Sequence, residues 1–449
     1  MQNAIAAKKE RDLTEGPIFR QLLLFALPLM AGNLFQQLYN TVDSIVVGNF
    51  LGKEALAAVG SVGPVINSLI GFFMGLSTGA GVVISQYYGA KEKEKLSRTV
   101  QTMVLMTFGF CGIFTLVGIW FTPQMLRLMS TPADVFTEAA DYLRIYFAGV
   151  SGLLIYNMGS GILRAVGDSR RPLYFLIFSA GLNTGLDLLL VIAFRMGIAG
   201  AAYATVFSQC LSAVLVLLVL TKTTGDYRIV WRGMRPDCGI LGQIVGIGIP
   251  TAVQQTVTSL SNVFVQSYIN FFGSDVMAGW SACMKIDMFM MLPMMSVGLA
   301  ATTFVGQNFG AGNISRAKKG TWAAFGMSVA VTALLMIPLI IFAPWLVGLF
   351  NREPGVVDYG CRLMYLMSPF YLVCCVNQVF ASALRGAGNT RAPMIVMLGS
   401  FVVFRQIYLF IASRTAGTLT VVALGYPAGW LVCSILILIC YKRFRWERG

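Results

Sequence analysis

Twelve long apolar runs constrain this chain more than any other feature. They lie near residues 18–48, 55–84, 97–121, 135–163, 172–194, 199–221, 240–271, 276–305, 320–343, 356–384, 393–413 and 419–441. A bilayer core of roughly 30 Å takes about 20 apolar residues as an α-helix. Only helices or closed barrels satisfy their own backbone polar groups in that medium. The runs therefore predict an all-α membrane protein of twelve transmembrane helices. Composition agrees, since 57% of the 449 residues are hydrophobic and 12% charged, whereas soluble domains carry about a quarter charged residues. The polar start MQNAIAAKKERDLTEGP leads straight into the first run, with neither an Arg-rich transit pattern nor a cleavable apolar stretch. The first span is expected to be retained. Pro28, Pro250, Pro293 and Pro369 lie inside runs, where a missing backbone donor predicts kinks.

A formal charge of +14 raises a nucleic-acid reading, and the placement of the charge answers it. Under this topology 24 of the 33 Lys and Arg fall at the termini and in alternate connections. The opposite side holds seven: Lys53, Arg127, Arg144, Arg195, Arg352, Arg362 and Arg414. Lys285 and Arg405 fall within spans. That bias sets orientation and predicts cytoplasmic termini, with lipid rather than nucleic acid as the surroundings. The connections are too short to fold separately, so helices must meet ligands.

His is absent, and the nine Cys show no CxxC or Cys/His spacing. No disulfide framework or zinc site is indicated, and any proton chemistry must use carboxylates. No GxxxxGK[ST], HExxH or GxSxG motif occurs, so neither ATP hydrolysis nor the usual hydrolase chemistry is expected. The chain reads as a non-enzyme without cofactor, driven by an ion gradient.

The chain also repeats. Gln86-Tyr-Tyr-Gly89-Ala90 recurs as Gln307-Asn-Phe-Gly310-Ala311, and Leu163-Arg164-Ala-Val-Gly167-Asp-Ser-Arg170-Arg-Pro172 recurs as Leu384-Arg385-Gly-Ala-Gly388-Asn-Thr-Arg391-Ala-Pro393, both offset by 221. Leu51-Gly52 and Phe272-Gly273 keep that register. The expected organisation is an N-terminal lobe over 1–221, a cytoplasmic linker over 222–239 and a C-terminal lobe over 240–449. Six spans per repeat give both lobes one orientation, related by a pseudo-two-fold axis along the membrane normal. Transporters built this way hold substrate between their halves and alternate access by rocking. The repeated motifs themselves are read as shaping loops, their glycines turning tightly and their arginines holding the interface.

Ionisable residues inside spans are costly and by default functional. Gln36, Tyr39, Asn40 and Asp43 share one helical face, as do Asn183 and Asp187 one turn apart and Thr205 and Gln209. Tyr142 and Asn157 of the fourth span complete an oxygen-rich pocket. Adding 221 to Asp43, Asn183 and Asp187 gives Phe264, Phe404 and Tyr408, so the related half lacks the carboxylates and the pocket is one-sided. A desolvated carboxylate can carry a proton, while carboxylate, amide and hydroxyl oxygens suit Na⁺. Asp43, Asn183, Asp187 and Thr205 are accordingly the candidate Na⁺ ligands, and the residues leave H⁺ and Na⁺ both open. In the eighth span Met284, Lys285, Asp287 and Met288 sit among further methionines, whose flexibility suits varied apolar ligands. Arg405 needs a partner, with Asp287 or helix-end carbonyls the candidates.

Taken together, the twelve spans, Pro28 followed by the Gln36/Tyr39/Asp43 face, and the two repeated motifs resemble the MATE (multidrug and toxic compound extrusion) family, in its bacterial DinF-like and MepA-like branch. The likeness runs nearly end to end. It implies efflux of cationic or amphipathic organic compounds in exchange for inward H⁺ or Na⁺, by a protein acting as a monomer. It also implies ion coupling in the N-lobe at Asp43, Asn157, Asn183, Asp187 and Thr205, with Gln36, Tyr39 and Tyr142 beside them. The NorM-like branch carries further acids in its seventh and tenth spans. Here Gln254, Gln255 and Thr258, and Asn377 and Gln378, stand there, which argues against a C-lobe cation site. A flippase for lipid-linked sugars shares the broad architecture and is the alternative, but it calls for a cationic cavity.

Overall fold

The computed structural model describes residues 12–51, 53–129, 131–415 and 417–446, the side chains of 42–49, 53–57, 60, 61, 64, 134 and 263 excepted. The described residues form helices and connections without strands. Among the described residues ten helices are long and apolar enough to cross a bilayer, and the bent pair Val135–Ala148 and Val150–Ala165, taken as one span, brings them to eleven. The remaining run of the twelve, Cys238–Asn270, is a continuous helix of 33 residues.

Two compact units emerge. Unit 1 contains Ala31–Gly248 and unit 2 contains Leu13–Met30 together with Ile249–Gly449. Each unit therefore changes hands inside a helix, at Met30 in α1 (Ile18–Phe50) and at Gly248 in α8 (Cys238–Asn270).

Unit 1 is built on α2 (Lys53–Gly89), α3 (Lys93–Leu128), α4 (Ala133–Ala148), α5 (Val150–Ala165), α6 (Arg170–Asp187) and α7 (Gly197–Lys222). Its core joins Val83, Val100, Met103, Met158, Ile162 and Val216. Small residues set how closely the helices pack, as expected where lipid offers no hydrophobic drive. A Cβ on Gly152 would lie 2.7 Å from the backbone nitrogen of Cys210, and one on Gly159 would meet Val216 at 2.5 Å. The fourth span is not one rod: α4 and α5 meet at 47°. The break is at Gly149, where any Cβ would strike Val206 at 2.2 Å, and no proline marks it.

Unit 2 is built on the start of α1, most of α8, α9 (Ser274–Gly310), α10 (Ile314–Ile341), α11 (Ala343–Gly348), α12 (Pro354–Met367), α13 (Tyr371–Gly386), α14 (Arg391–Leu398), α15 (Arg405–Thr415), α16 (Leu419–Ala423) and α17 (Gly425–Arg443). Pro28, Pro250 and Pro293 lie within continuous helices. At Pro369 the tenth span narrows into a 3₁₀ turn over Ser368–Phe370. Exposed rings and aliphatics such as Leu116, Trp120, Phe271 and Leu334 are what a lipid-facing surface requires, since apolar patches of this extent are not left to water.

Candidate ion and substrate site

Asn183 and Asp187 lie on the last turns of α6 and are fully buried. The opposing helix α7 presents Thr205, also buried, and the Asn183 amide donates to the Thr205 hydroxyl at 3.5 Å. The Asn183 Oδ1 has no hydrogen-bond partner. An amide oxygen buried without a donor is a costly arrangement, and it leaves an acceptor ready for a cation. Immediately after Asp187 the helix widens into a π-helix over Leu188–Ala193, a form that recurs at functional sites.

The same two helices continue the polar row. Ser179, one turn before Asn183, donates to the carbonyl of Ser208 at 2.7 Å, and Ser208 donates to the carbonyl of Thr205 at 2.9 Å. Ser179, Ser208, Ser212 and Tyr156 were not singled out from the sequence. The signal was present, because Ser179 precedes Asn183 by four, and Ser208 and Ser212 follow Thr205 by three and seven, the spacing of one helical face.

Gln36 and Tyr39 open onto a recess lined also by Leu153, Tyr156, Leu176, Ser179, Ala180, Ser208, Gln209 and Ser212. Its lining contains no Lys or Arg. Asn40 is exposed, and Tyr142 is buried in α4. The side chain of Asp43 lies outside the described residues. Asn157 is not joined to the Asn183 row: it donates back to the carbonyl of Leu153 at 2.9 Å and lines another recess, with Ser77, Thr107 and Phe73. On α5, Asn157 faces residues of α2 and α3.

In the eighth span the four candidates part company. Met288 is exposed, and the Lys285 ammonium lies 5.3 Å from the centroid of the Phe350 ring. Met284 packs against the unit 2 core, and Asp287 is half-buried with its Oδ1 enclosed and without a hydrogen-bond partner. Arg405 does not pair with Asp287. Its guanidinium donates to Ser261 Oγ and Asn262 Oδ1, both at 2.8 Å, and stacks 4.7 Å from the centroid of Tyr426. The acceptors come from α8, and this register was not readable from α15.

The repeated motifs prove more than loop formers. Gln307 Oε1 accepts from the amide of Leu13 at 3.1 Å. Asn308 Nδ2 and Arg316 donate to the Leu13 carbonyl at 3.2 Å. These side chains anchor the segment that leads into the first span within unit 2. Arg385 reaches Gln254 Oε1 at 3.2 Å. Gly167 and Gly388 do turn with positive φ, 91° and 90°.

Comparison with known proteins follows the same division into halves. A family profile described as MatE matches residues 28–189 and again 250–411. The probable multidrug resistance protein YpnP of Bacillus subtilis (strain 168) is 32% identical over 441 residues, 98% of this chain and 98% of its own. Multidrug export protein MepA of Staphylococcus aureus (strain MRSA252) is 22% identical over 427 residues, covering 95% of this chain and 94% of its own. A solved structure titled as the outward-facing conformation of a multidrug resistance MATE family transporter of the MOP superfamily aligns with a TM-score of 0.91, at 24% identity, over 97% of this chain and 98% of that one. That likeness establishes the fold.

Proposed function

The chain belongs to the MATE family, and from that membership we propose secondary active export of small cationic or amphipathic organic compounds, exchanged for H⁺ or Na⁺ moving inward. The names of its relatives, a multidrug resistance protein and a multidrug export protein, support multidrug efflux as the activity. The observation that carries the coupling is the buried row of Asn183, Asp187 and Thr205, with an amide oxygen lacking a donor, one turn beyond the wall of an open recess.

In this reading Asp187, with Asp43, takes up the coupling ion when the site faces outward. A proton neutralises the carboxylate, whereas Na⁺ recruits Asn183 Oδ1 and the Thr205 hydroxyl as additional oxygens. Either changes what α6 and α7 must hold between them, and the π-helix after Asp187 gives that packing a second arrangement to adopt. Drug leaves as the ion binds, and the ion leaves inward to reset the cycle by alternating access. The protein works as a monomer in the bacterial inner membrane with both termini cytoplasmic, and no cofactor takes part.

A lipid-linked precursor flippase is the second reading. A pyrophosphate needs cations, and the recess lined by Gln36, Tyr39 and Gln209 offers none, so export of organic cations is favoured.

The test uses reconstituted vesicles in which pH and Na⁺ gradients are imposed independently while a fluorescent organic cation is followed. Wild-type protein should move the cation in response to one gradient, and Asp187→Asn and Asp43→Asn should lose gradient-driven movement. Full gradient-driven efflux by either variant would overturn the assignment.

A further inference from the structure

The connection between α7 and α8 is folded down onto unit 1 rather than slack. Tyr227 and Ile229 are fully buried in the unit 1 core, and the amide of Ile229 donates to the carbonyl of Leu220 at 3.0 Å. Asp237 fixes the far end. Its amide donates to Thr102 Oγ1 at 3.1 Å, and its Oδ1 accepts from the amides of Gly239 and Ile240 that open α8. Residues 223–237 are thus a strap held at both ends.

The buried anchors decide what faces out. Arg228 and Val230 alternate with them and are exposed, as are Trp231, Arg232 and Arg235, and Lys222 at the end of α7 is exposed beside them. Trp231 is 48% exposed yet fixed in place: its Nε1 donates to Thr221 Oγ1 at 3.1 Å, and its ring lies 6.3 Å from the exposed ring of Phe108 on α3. Arg228 is set in the same way, its Nε donating to the Thr221 carbonyl at 2.9 Å. A tryptophan and an arginine therefore stand where the apolar surface of α3 meets the charged end of α7.

The charges of the strap are sorted by side. Its two acids are directed to α3, with Asp226 Oδ2 3.4 Å from the Lys93 ammonium and Asp237 Oδ2 3.8 Å from the Arg98 guanidinium. Among the described residues no ion pair includes Lys222, Arg228, Arg232 or Arg235. Composition alone does not single out this stretch, because Lys442, Arg443, Arg445 and Trp446 follow the last span in a similar way. There, however, the tryptophan is only 8% exposed, its ring 5.2 Å from that of Tyr441 and 6.4 Å from that of Phe309.

We propose that the strap is a binding surface for the headgroups of anionic phospholipids. Guanidinium groups pair with phosphate oxygens in two-pronged fashion, and an amphipathic tryptophan settles at the boundary between headgroups and hydrocarbon. A negatively charged bilayer surface attracts basic segments held within a Debye length of it. An exposed row of cations suits a plane of many headgroups rather than one enclosed anion. Lipid bound there ties the junction of α7 and α8 to the plane of the bilayer. The inference requires that the chain spans a membrane and is independent of the proposed export.

The test uses purified full-length protein in phosphatidylcholine vesicles doped with brominated phosphatidylglycerol or, in parallel, brominated phosphatidylcholine, whose quenching of tryptophan fluorescence reports association. Wild-type protein should favour phosphatidylglycerol by about fivefold or more, and the preference should fall as salt is raised. Trp231→Phe should remove the quenching specific to phosphatidylglycerol. Arg228→Gln, Arg232→Gln and Arg235→Gln together should bring the two lipids to parity, while the same three positions changed to Lys should keep most of the preference. Lys442→Gln with Arg443→Gln should leave it intact. Equal association of both lipids with wild-type protein, or a preference that survives both Trp231→Phe and the triple Gln variant, overturns the proposal. Abolition of the preference by free inorganic phosphate at constant ionic strength makes the ligand a soluble phosphate and overturns it as well.

Discussion

Lys91 and Gly312 occupy equivalent turns of the two halves, and both adopt left-handed backbone, with φ of 57° and 74°. The turns match bond for bond: Lys91 N donates to Tyr88 O at 3.1 Å and Gly312 N to Phe309 O at 3.1 Å. The left-handed region costs a side-chain-bearing residue about 1–2 kcal/mol, while glycine adds about 0.4–1 kcal/mol of unfolded-state entropy. Lys91→Gly should therefore stabilise the protein by about 0.5–1 kcal/mol, and Gly312→Lys should destabilise it similarly. Unfolding midpoints in detergent, followed by fluorescence, should move in opposite directions.

Gly79 and Gly248 approach within unit 1 so closely that a Cβ on Gly79 would lie 2.5 Å from the backbone nitrogen of Gly248. Relief would require moving a helix axis, so Gly79→Val should cost about 1–3 kcal/mol or more. Gly81→Ala, whose nearest obstacle is Gly161 O at 3.8 Å, should be tolerated. The monodisperse fraction recovered by size-exclusion chromatography after heating separates the two.

The Leu13 amide is held by a side chain rather than by helix geometry. Gln307→Ala removes that acceptor and leaves a buried donor unsatisfied, a loss of about 1–3 kcal/mol. Hydrogen exchange in the peptide containing Leu13 should quicken by about tenfold or more, while peptides from unit 1 should keep their rates.

Thr205→Val preserves shape and deletes the hydroxyl that the Asn183 amide reaches. Leaving that amide without an acceptor in a buried place should destabilise the protein by about 1–3 kcal/mol. Thr205→Ser should restore most of the loss. If Na⁺ is the coupling ion, Thr205→Val should also weaken Na⁺-dependent stabilisation in the same melting experiment.

Much of this was legible in the sequence because its causes are local or periodic. Apolar run length gave the spans, and helical spacing placed Asn183 and Asp187 on one face of their helix. The remainder depends on which face of one helix meets another. Gly149, at the break in the fourth span, leaves Val206 the room that any Cβ would take, a contact that neither residue announces. Arg405 finds Ser261 and Asn262 on α8 because of rotation about a helix axis, which composition does not encode. Asn157 was placed on the correct helix but faces other neighbours.

The membership of Leu13–Met30 in unit 2 bears on how the chain is made. Leu13 leaves the ribosome early, yet its acceptor Gln307 lies 294 residues downstream. At roughly 5–20 residues per second, the wait is on the order of 15–60 s. During that interval the opening segment enters the membrane without its native neighbours. Insertion and assembly of the second half must therefore be completed around a segment that arrived first.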